Sequence, residues 1–326
     1  MKTASAISEP MNLLLTNIHC LFQVAAKGEL YLGGAQMRDP ACIEDAWVYV
    51  AEGKIAALGR MQSLDKESFT EYQELDCGGR LVLPGFVDSH THLVFPRTRE
   101  REFVYRIQGL SYEEIAARGG GILNSARSLS QISDAQLLEE ALERAYEILH
   151  RGTTTVEIKS GYGLSLEGEL RLLRVARQIG TLTPLNVRTT FLGAHAIPAE
   201  YKTRRQAYID LICEEMLPAV AAEGLADYID VFCEKIAFSA IETERILEAG
   251  VKYGLKPKIH TNQFHSMGGI EAAIKYGAIS VDHLEVLSES ELQLLRTSKT
   301  IATLLPSAPF FLNDSNQPPA RQLLNR

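Results

Sequence analysis

The sequence contains no CxxC pair, no long basic run and no long apolar run, and each absence excludes a class of protein. Its five cysteines are scattered, which argues against a disulfide framework and against a thiolate zinc site. The formal net charge of -8 makes nucleic acid or an anionic membrane surface a poor partner. No stretch approaches the roughly 20 apolar residues that a membrane span needs. We therefore expect a cytoplasmic protein that acts on a small molecule.

What the sequence does contain is a change of pattern near residue 82. From about 12 to 82, short apolar runs are separated by Gly and polar residues, which predicts a small β unit. From 83 onward, apolar runs of about six residues alternate with amphipathic helical segments, which is typical of parallel strands joined by crossover helices. The sequence thus predicts an α/β protein with two parts, a small β subdomain (1–82) and a (β/α) barrel (83–326).

The predicted barrel contains seven strand-like segments, one fewer than a closed (β/α)8 barrel requires. They are LPGFVDSHTHL, TTTVEIKSG, NVRTTFLGAH, YIDVFCE, KPKIHTNQF, AISVDHLE and TIATLLP. Seven strands leave two unpaired edges. The pattern therefore predicts a TIM-like barrel that lacks its eighth strand, in a chain that is part of a longer protein. A shorter open sheet is the alternative.

Five of the eight histidines fall at the carboxyl ends of these predicted strands. His90 and His92 are two positions apart, so their side chains point to the same side of one strand. His195, His260 and His283 end three further strands. Barrel enzymes assemble their chemistry at this end of the strands, and neutral imidazole is a common ligand for zinc and iron. The pattern favours a metal site over a group of half-exposed, hydrogen-bonded histidines.

The segments that carry these histidines resemble those of a known family. LPGFVDSHTHL is similar to the first-strand signature of the amidohydrolase superfamily. Together with EIKSGYGL, FLGAH, HTNQFHSMGG, SVDHLE and ATLLPSAPFFL, in consistent order from about 81 to 311, it resembles the imidazolonepropionase family. The resemblance implies an amidohydrolase-type barrel with a small N-terminal β-sandwich-like subdomain, part of whose strands would come from beyond the C-terminus of this chain.

The same resemblance implies an activity. Members are cytoplasmic, usually homodimeric, and carry one zinc or iron ion. They hydrolyse the ring amide C–N bond of 4-imidazolone-5-propanoate to N-formimidoyl-L-glutamate in histidine degradation. Three imidazoles do not distinguish zinc from iron.

Matching motif positions imply roles for eight residues. Three imidazoles would hold the metal ion, one histidine would act beside the metal-bound water, and four side chains would bind the substrate. A planar guanidinium among the last group suits the substrate's propionate, although a solvated arginine in the charged run RTRERE is the alternative. The implied metal ligands are His90, His92 and His260, the catalytic residue is His283, and the substrate-binding residues are Arg99, Tyr162, His195 and Gln263.

Two features depart from the family pattern. Most members have Glu three residues after the metal-binding histidine of the fifth strand, where this chain has Gln263. A side-chain amide cannot shuttle a proton, so we expect Gln263 to orient the imidazolone ring while His283 or a later acid moves protons. The Asp that members place at the end of the eighth strand would lie beyond Arg326, which predicts weakened metal binding by this chain.

Two other functions stay open on the sequence alone. The HxH motif and the later histidines are shared widely in the superfamily, so another cyclic amidine or amide hydrolase or a deaminase is one alternative. The second is a catalytically silent homologue or a binding protein, which Gln263 and the missing eighth strand would explain.

Overall fold

The computed structural model describes residues 12–23, 32–110, 114–115 and 120–324. The chain divides into two compact units, residues 1–84 with 324–326, and residues 85–323. The division between Pro84 and Gly85 lies two residues after the boundary that the change of sequence pattern predicts. Within the described residues, no helix combines the length and apolar character needed to cross a membrane.

The N-terminal unit contains one small mixed sheet. Its central strand, β1, pairs antiparallel with β2 and parallel with β4 and β5, and β3 pairs antiparallel with β2. Strand β4 escapes the sequence prediction because its side chains are mostly exposed and show no apolar alternation. The strands are β1 (Asn12–Phe22), β2 (Cys42–Ala51), β3 (Lys54–Arg60), β4 (Tyr72–Asp76) and β5 (Leu81–Val82), with short 3₁₀ turns at Gly34–Arg38, Met61–Ser63 and Lys66–Ser68.

The second unit is built on a nearly closed barrel sheet of seven parallel strands, and all seven predicted strands form. They lie side by side in chain order, so the gap in the barrel is between the first and the last. The predicted α/β barrel fold is therefore confirmed, with a sheet of seven strands in the described residues. The strands are β6 (Phe86–Thr91), β7 (Thr153–Lys159), β8 (Asn186–Ala194), β9 (Tyr228–Cys233), β10 (Lys256–Thr261), β11 (Ser280–His283) and β12 (Ile301–Thr303).

Helices connect these strands and cover the outside of the sheet. Four of those in the described residues begin at a serine that caps the first turn; for example, Ser133 Oγ accepts a hydrogen bond from Gln136 N at 3.2 Å. A π-helical turn, Ile212–Met216, joins two of the helices into one continuous segment. The helices of the described residues are α1 (Glu100–Ile107), α2 (Ile122–Leu129), α3 (Asp134–His150), α4 (Leu166–Leu182), α5 (Arg205–Leu211), α6 (Leu217–Ala222), α7 (Ala240–Lys252), α8 (Gly269–Lys275), α9 (Glu289–Thr297), α10 (Ser307–Leu312) and α11 (Ala320–Leu324), with a 3₁₀ turn at Ala199–Tyr201.

The two faces of the barrel strands have opposite chemistry. On the outer face, Val156 and Ile158 of β7 pack against the apolar side chains of α3 and α4, and Ile229 and Ile259 of β9 and β10 belong to the larger core beneath the following helices. Successive side chains of a strand point to opposite faces. The alternate positions therefore point inward, and there the strands carry charged residues and histidines.

Candidate active site

One cavity of about 310 Å³ lies at the carboxyl ends of the barrel strands. All eight site residues predicted from the sequence line it, although they come from six different segments of the chain. Apolar side chains such as Phe232, Ile236 and Phe311 form other parts of its wall. A concave apolar pocket with a few converging polar groups suits a small organic ligand.

The histidines at this cavity form a contiguous cluster. The ring centroids of His90 and His260 are 4.5 Å apart, and that of His92 lies 5.6 Å from each of them. Because a zinc-bound ring nitrogen lies about 2.0 Å from the ion, two rings on one tetrahedral ion have centroids about 5 Å apart. These centroid spacings suit rings around one ion, but the histidine groups whose ring nitrogens all lie within 4.8 Å of one another are His90, His260 and His283, and His92, His195 and His260.

His260 is the central member of the cluster. A ring nitrogen of His260 belongs to each of these two groups. Both of its ring nitrogens are buried and neither makes a geometrically good hydrogen bond to the described residues, although Nδ1 lies 2.8 Å from Asp230 Oδ2. An orphaned buried nitrogen in a group of neutral imidazoles is the arrangement that a metal ligand presents when no ion is included.

Four of the rings are oriented through their Nδ1 atoms. His90 Nδ1 lies 2.6 Å from Asp282 Oδ2, and His260 Nδ1 lies 2.8 Å from Asp230 Oδ2. The Nδ1 atoms of His92 and His195 lie 3.3 Å and 3.0 Å from the carbonyl oxygens of Ser160 and Gly161. These acceptors favour the tautomer with the proton on Nδ1, which leaves the lone pair of Nε2 for a ligand.

Burial keeps the clustered imidazoles neutral. It is the largest cause of a lowered pKa for His90, His92 and His260, and it lowers the pKa of His195 to about 3. Repulsion between neighbouring imidazoles acts in the same direction for His90, His92 and His195. Neutral imidazole is the form that binds a metal ion.

A network of buried charges lies on the inner face of the strands that carry the histidines. Lys159 Nζ donates to Glu157 Oε1 and Asp230 Oδ2, both at 2.8 Å, and Lys258 Nζ donates to Glu157 Oε2. Asp282 Oδ2 lies 3.3 Å from Lys159 Nζ. None of these five residues was among those predicted from the sequence. The available signal was a charged residue at every second position of otherwise apolar strands, as in TTTVEIK.

The loop after β7 carries Tyr162 to the cavity, where its ring centroid lies 5.2 Å from that of His92. Buried Glu169 holds this loop by accepting hydrogen bonds from the backbone N–H groups of Gly161 and Gly163. Residue 161 has φ +104°, and a Cβ there would lie 2.8 Å from His195 Nδ1. Only glycine fits that position without strain.

Arg99 reaches the cavity wall from the segment that precedes α1. Its guanidinium forms an ion pair with Glu102, whose Oε1 atom also accepts a hydrogen bond from Gly121 N at 2.9 Å. The Arg99 side chain is 26% exposed. Arg99 is therefore partly buried, paired with Glu102 and part of the cavity wall.

Gln263 and His283 also line the cavity. Buried Glu234 holds the Gln263 loop by accepting hydrogen bonds from Phe264 N at 2.9 Å and His265 N at 3.0 Å. His283 Nδ1 is buried and lies 3.6 Å from Glu285 Oε1. Among the described residues that line the cavity, none is a carboxylic acid.

Known proteins with similar sequences identify the family. No protein-family model matches the chain. It is 47% identical over 315 residues to the imidazolonepropionase of Christiangramia forsetii, across 97% of this chain and 76% of that protein. It is 45% identical over 314 residues to the imidazolonepropionase of Flavobacterium johnsoniae, across 96% of this chain and 76% of that protein. The chain belongs to the imidazolonepropionase family.

Solved structures with much lower sequence identity share the fold of this imidazolonepropionase family member. Guanine deaminase from C. acetobutylicum, solved with guanine in its active site, superimposes with a TM-score of 0.64 at 14% identity, over 96% of this chain and 72% of that one. An atrazine chlorohydrolase variant from Arthrobacter aurescens, solved with zinc and atraton, gives a TM-score of 0.63 at 13% identity, over 96% and 69%. The fold is that of the amidohydrolases.

Proposed function

We propose that this chain hydrolyses the ring amide C–N bond of 4-imidazolone-5-propanoate, which gives N-formimidoyl-L-glutamate in histidine degradation. Membership of the imidazolonepropionase family supports this activity. The observation that carries it is the convergence of His90, His92 and His260 in one cavity with the predicted substrate-binding residues. We further propose, on the family resemblance, a cytoplasmic homodimer.

A divalent metal ion, zinc or iron, fits the histidine cluster, and we propose His90, His92 and His260 as its ligands. Such an ion, when bound, supplies Lewis acidity that activates water and polarises the scissile carbonyl. The chain supplies neutral imidazoles for it, because burial lowers their pKa. Asp230 and Asp282 orient two of the three rings through Nδ1.

The cavity offers a charged group for the substrate's propionate and planar groups for its imidazolone ring. Arg99 offers a guanidinium, fixed by Glu102, to the propionate carboxylate. The rings of His92 and His195 stack at 5.0 Å with an interplanar angle of 7°, and Tyr162 lies 5.5 Å from His195. These planar groups can contact the planar imidazolone ring, and Gln263 can hydrogen-bond to its polar edge.

Proton transfer is assigned to His283. Cleavage of the C–N bond requires a proton for the departing ring nitrogen. Among the described cavity-lining residues, His283 lies beside the metal cluster and no carboxylic acid is present. Its Nδ1 is buried, so Nε2 is the nitrogen that can exchange a proton with the substrate.

Turnover of 4-imidazolone-5-propanoate by the purified, metal-loaded protein tests the proposal. We expect release of N-formimidoyl-L-glutamate, about one equivalent of zinc or iron, and no deamination of guanine or cytosine. A protein that retains less than about a tenth of an equivalent of either metal, or that turns over guanine or cytosine instead, would contradict it.

A further inference from the structure

A second cavity, of about 580 Å³, adjoins the reaction cavity within the barrel unit. We call it the side cavity. The two cavities share the wall residues Ile122, His195, Phe232 and Ile236, so they lie next to each other. His195 is one of the predicted substrate-binding residues. A molecule in the side cavity is therefore separated from the proposed site of hydrolysis by little more than one layer of side chains.

The charged residues of the side cavity are all cations. Arg127, Lys202 and Arg205 line it, and none of its described lining residues is an acid. The whole chain has a formal net charge of -8, so a group of three cations without an acid runs against its composition. A cleft lined by one sign of charge concentrates small ions of the opposite sign. The side cavity therefore favours anions.

The cations of this cavity differ in how far their charge is already balanced. Arg205 Nε and Nη2 donate to Glu242 at 3.0 Å and 2.7 Å, and Glu242 does not line the cavity. Lys202 is exposed and forms no ion pair within the part of the chain that the structure describes. Lys202 is thus the cation whose charge an incoming anion is best placed to balance.

Most of the remaining wall of the side cavity is apolar and includes Leu123, Ile197 and Ala237. A carboxylate on a short aliphatic chain suits this combination, because its charged end can pair with Lys202 while its methylene groups contact the apolar side chains. The proposed substrate carries such a group, its propionate, and the proposed product retains it. The chemistry of the side cavity therefore matches the anionic arm of the molecule that the reaction cavity would hydrolyse.

We propose that the side cavity is an entry chamber for small carboxylate anions, in which Lys202 and Arg127 attract the substrate's propionate before it passes to Arg99 in the reaction cavity. This inference rests on the proposed function, because that function supplies the anionic substrate. Lys202 acts in capture of the substrate and takes no part in bond cleavage.

The first test compares Lys202→Met with Lys299→Met in the metal-loaded full chain. Lys299 is a matched control, since it is also exposed and has no ion pair among the described residues. It precedes β12, so it lies at the opposite end of the barrel strands from the site. Both variants remove one positive charge. Steady-state kinetics are measured at ionic strengths of about 10 mM and about 1 M, where the Debye length is about 30 Å and about 3 Å.

At about 10 mM, Lys202→Met should lower kcat/KM about 3- to 10-fold, through a raised KM, because one of the attracting charges is gone. Lys299→Met should change it by less than about twofold, because its charge is far from the chamber. At about 1 M the two variants and the wild type should agree within about twofold, because salt screens the attraction. Lys202→Arg keeps the charge and should retain the wild-type values.

A second test follows binding without turnover. Glutarate has carboxylates on a short aliphatic chain and no ring to hydrolyse. Ile197 lines only the side cavity and Leu312 only the reaction cavity, so their methyl NMR signals report on the two cavities separately. In the zinc-loaded protein, millimolar glutarate should shift the Ile197 signal in a saturable way. Lys202→Met should weaken that binding at least about threefold, and Lys299→Met should not.

The outcomes separate the entry chamber from the proposed function. Equal kcat/KM and equal salt dependence in Lys202→Met and Lys299→Met, or an Ile197 signal that does not respond to glutarate, would overturn the entry chamber alone. A wild-type protein whose Ile197 signal responds to glutarate, but which does not hydrolyse 4-imidazolone-5-propanoate, would support the anion site and contradict the proposed function.

Discussion

The inner and outer faces of the same seven strands differ in almost every respect except secondary structure. On the outer face, Val156, Ile158 and Ile229 are fully buried against helices, in an ordinary apolar core. On the inner face, Lys159 and Asp230 are just as buried, yet they are charged and paired. One set of alternate positions therefore stabilises the fold, while the other holds the imidazoles of the site in place.

The largest expected effect comes from removing an inner-face histidine at the mouth of the sheet. His90→Ala should reduce kcat/KM by a factor on the order of 10³ or more, because several kcal/mol of transition-state stabilisation depend on the metal ion. Steady-state kinetics and metal analysis measure this. The exposed His19 of β1 is the control, since His19→Ala should leave both quantities unchanged. Full activity in His90→Ala would contradict the proposal that His90 binds a catalytic metal ion.

A substitution on the outer face should lower the stability of the fold and leave metal binding intact. Ile158→Ala removes part of a fully buried side chain and should lower the free energy of unfolding by about 2–5 kcal/mol, whereas Ile158→Val should cost about 0.5–1.5 kcal/mol. Urea unfolding measures both. The folded fraction should still bind one equivalent of metal, so loss of metal from well-folded Ile158→Val would mean that the two faces are not separable.

Lowering the pH should destabilise the metal-free protein through the buried histidines at the ends of the barrel strands. The pKa of His195 is lowered to about 3 by burial and, second, by repulsion from His260, whereas an unfolded imidazole takes up a proton below about 6.5. The unfolded chain then binds more protons, so the metal-free protein should lose stability as the pH falls from 6.5 towards 3, by about 1.4 kcal/mol per unit for each such histidine. Above pH 6.5 this contribution is constant.

Urea unfolding of the metal-free protein between pH 7.5 and 4.5 measures that slope. Replacing His195 by Asn should make the slope shallower, because one of the titrating imidazoles is gone. A stability that is independent of pH over this range, or that rises as the pH falls, would show that the clustered imidazoles are not held neutral.

The smallest effect is expected on the solvent side of the helices. Arg151 and Glu147 form an ion pair in which the two side chains are 75% and 61% exposed. Pairs of this kind contribute little because water screens them. Arg151→Ala should leave activity and metal content unchanged and should shift the Tm by no more than about 1 °C in a thermal scan. A larger shift would contradict the view that this exposed ion pair contributes little to stability.

The outer face was predictable from sequence because apolar periodicity reports burial. All seven barrel strands and the histidines at the ends of four of them follow from it. The strand Tyr72–Asp76 was missed because it has no apolar alternation. Lys159, Asp230 and Asp282 were missed for a different reason: they matter through ion pairs between residues 71 and 123 positions apart in the sequence, which a single sequence does not reveal.

The predicted roles of the eight site residues depended on matching motifs, and the structure brings all eight to one cavity. The motifs did not predict the buried acids that hold the loops of these site residues in place. Glu169 holds the Tyr162 loop, and Glu234 holds the loop of Gln263. Each is a buried acid, and its role becomes clear only from the backbone N–H groups that donate hydrogen bonds to it.

Anomalous diffraction at the metal absorption edge, from crystals of the metal-loaded protein, tests the central claim most directly. We expect one strong peak in ligand contact with ring nitrogens of residues 90, 92 and 260, with the Nδ1 atoms of His90 and His260 turned to their aspartates. A peak elsewhere in the chain, or one that leaves any of those three imidazoles outside ligand distance, would contradict the account.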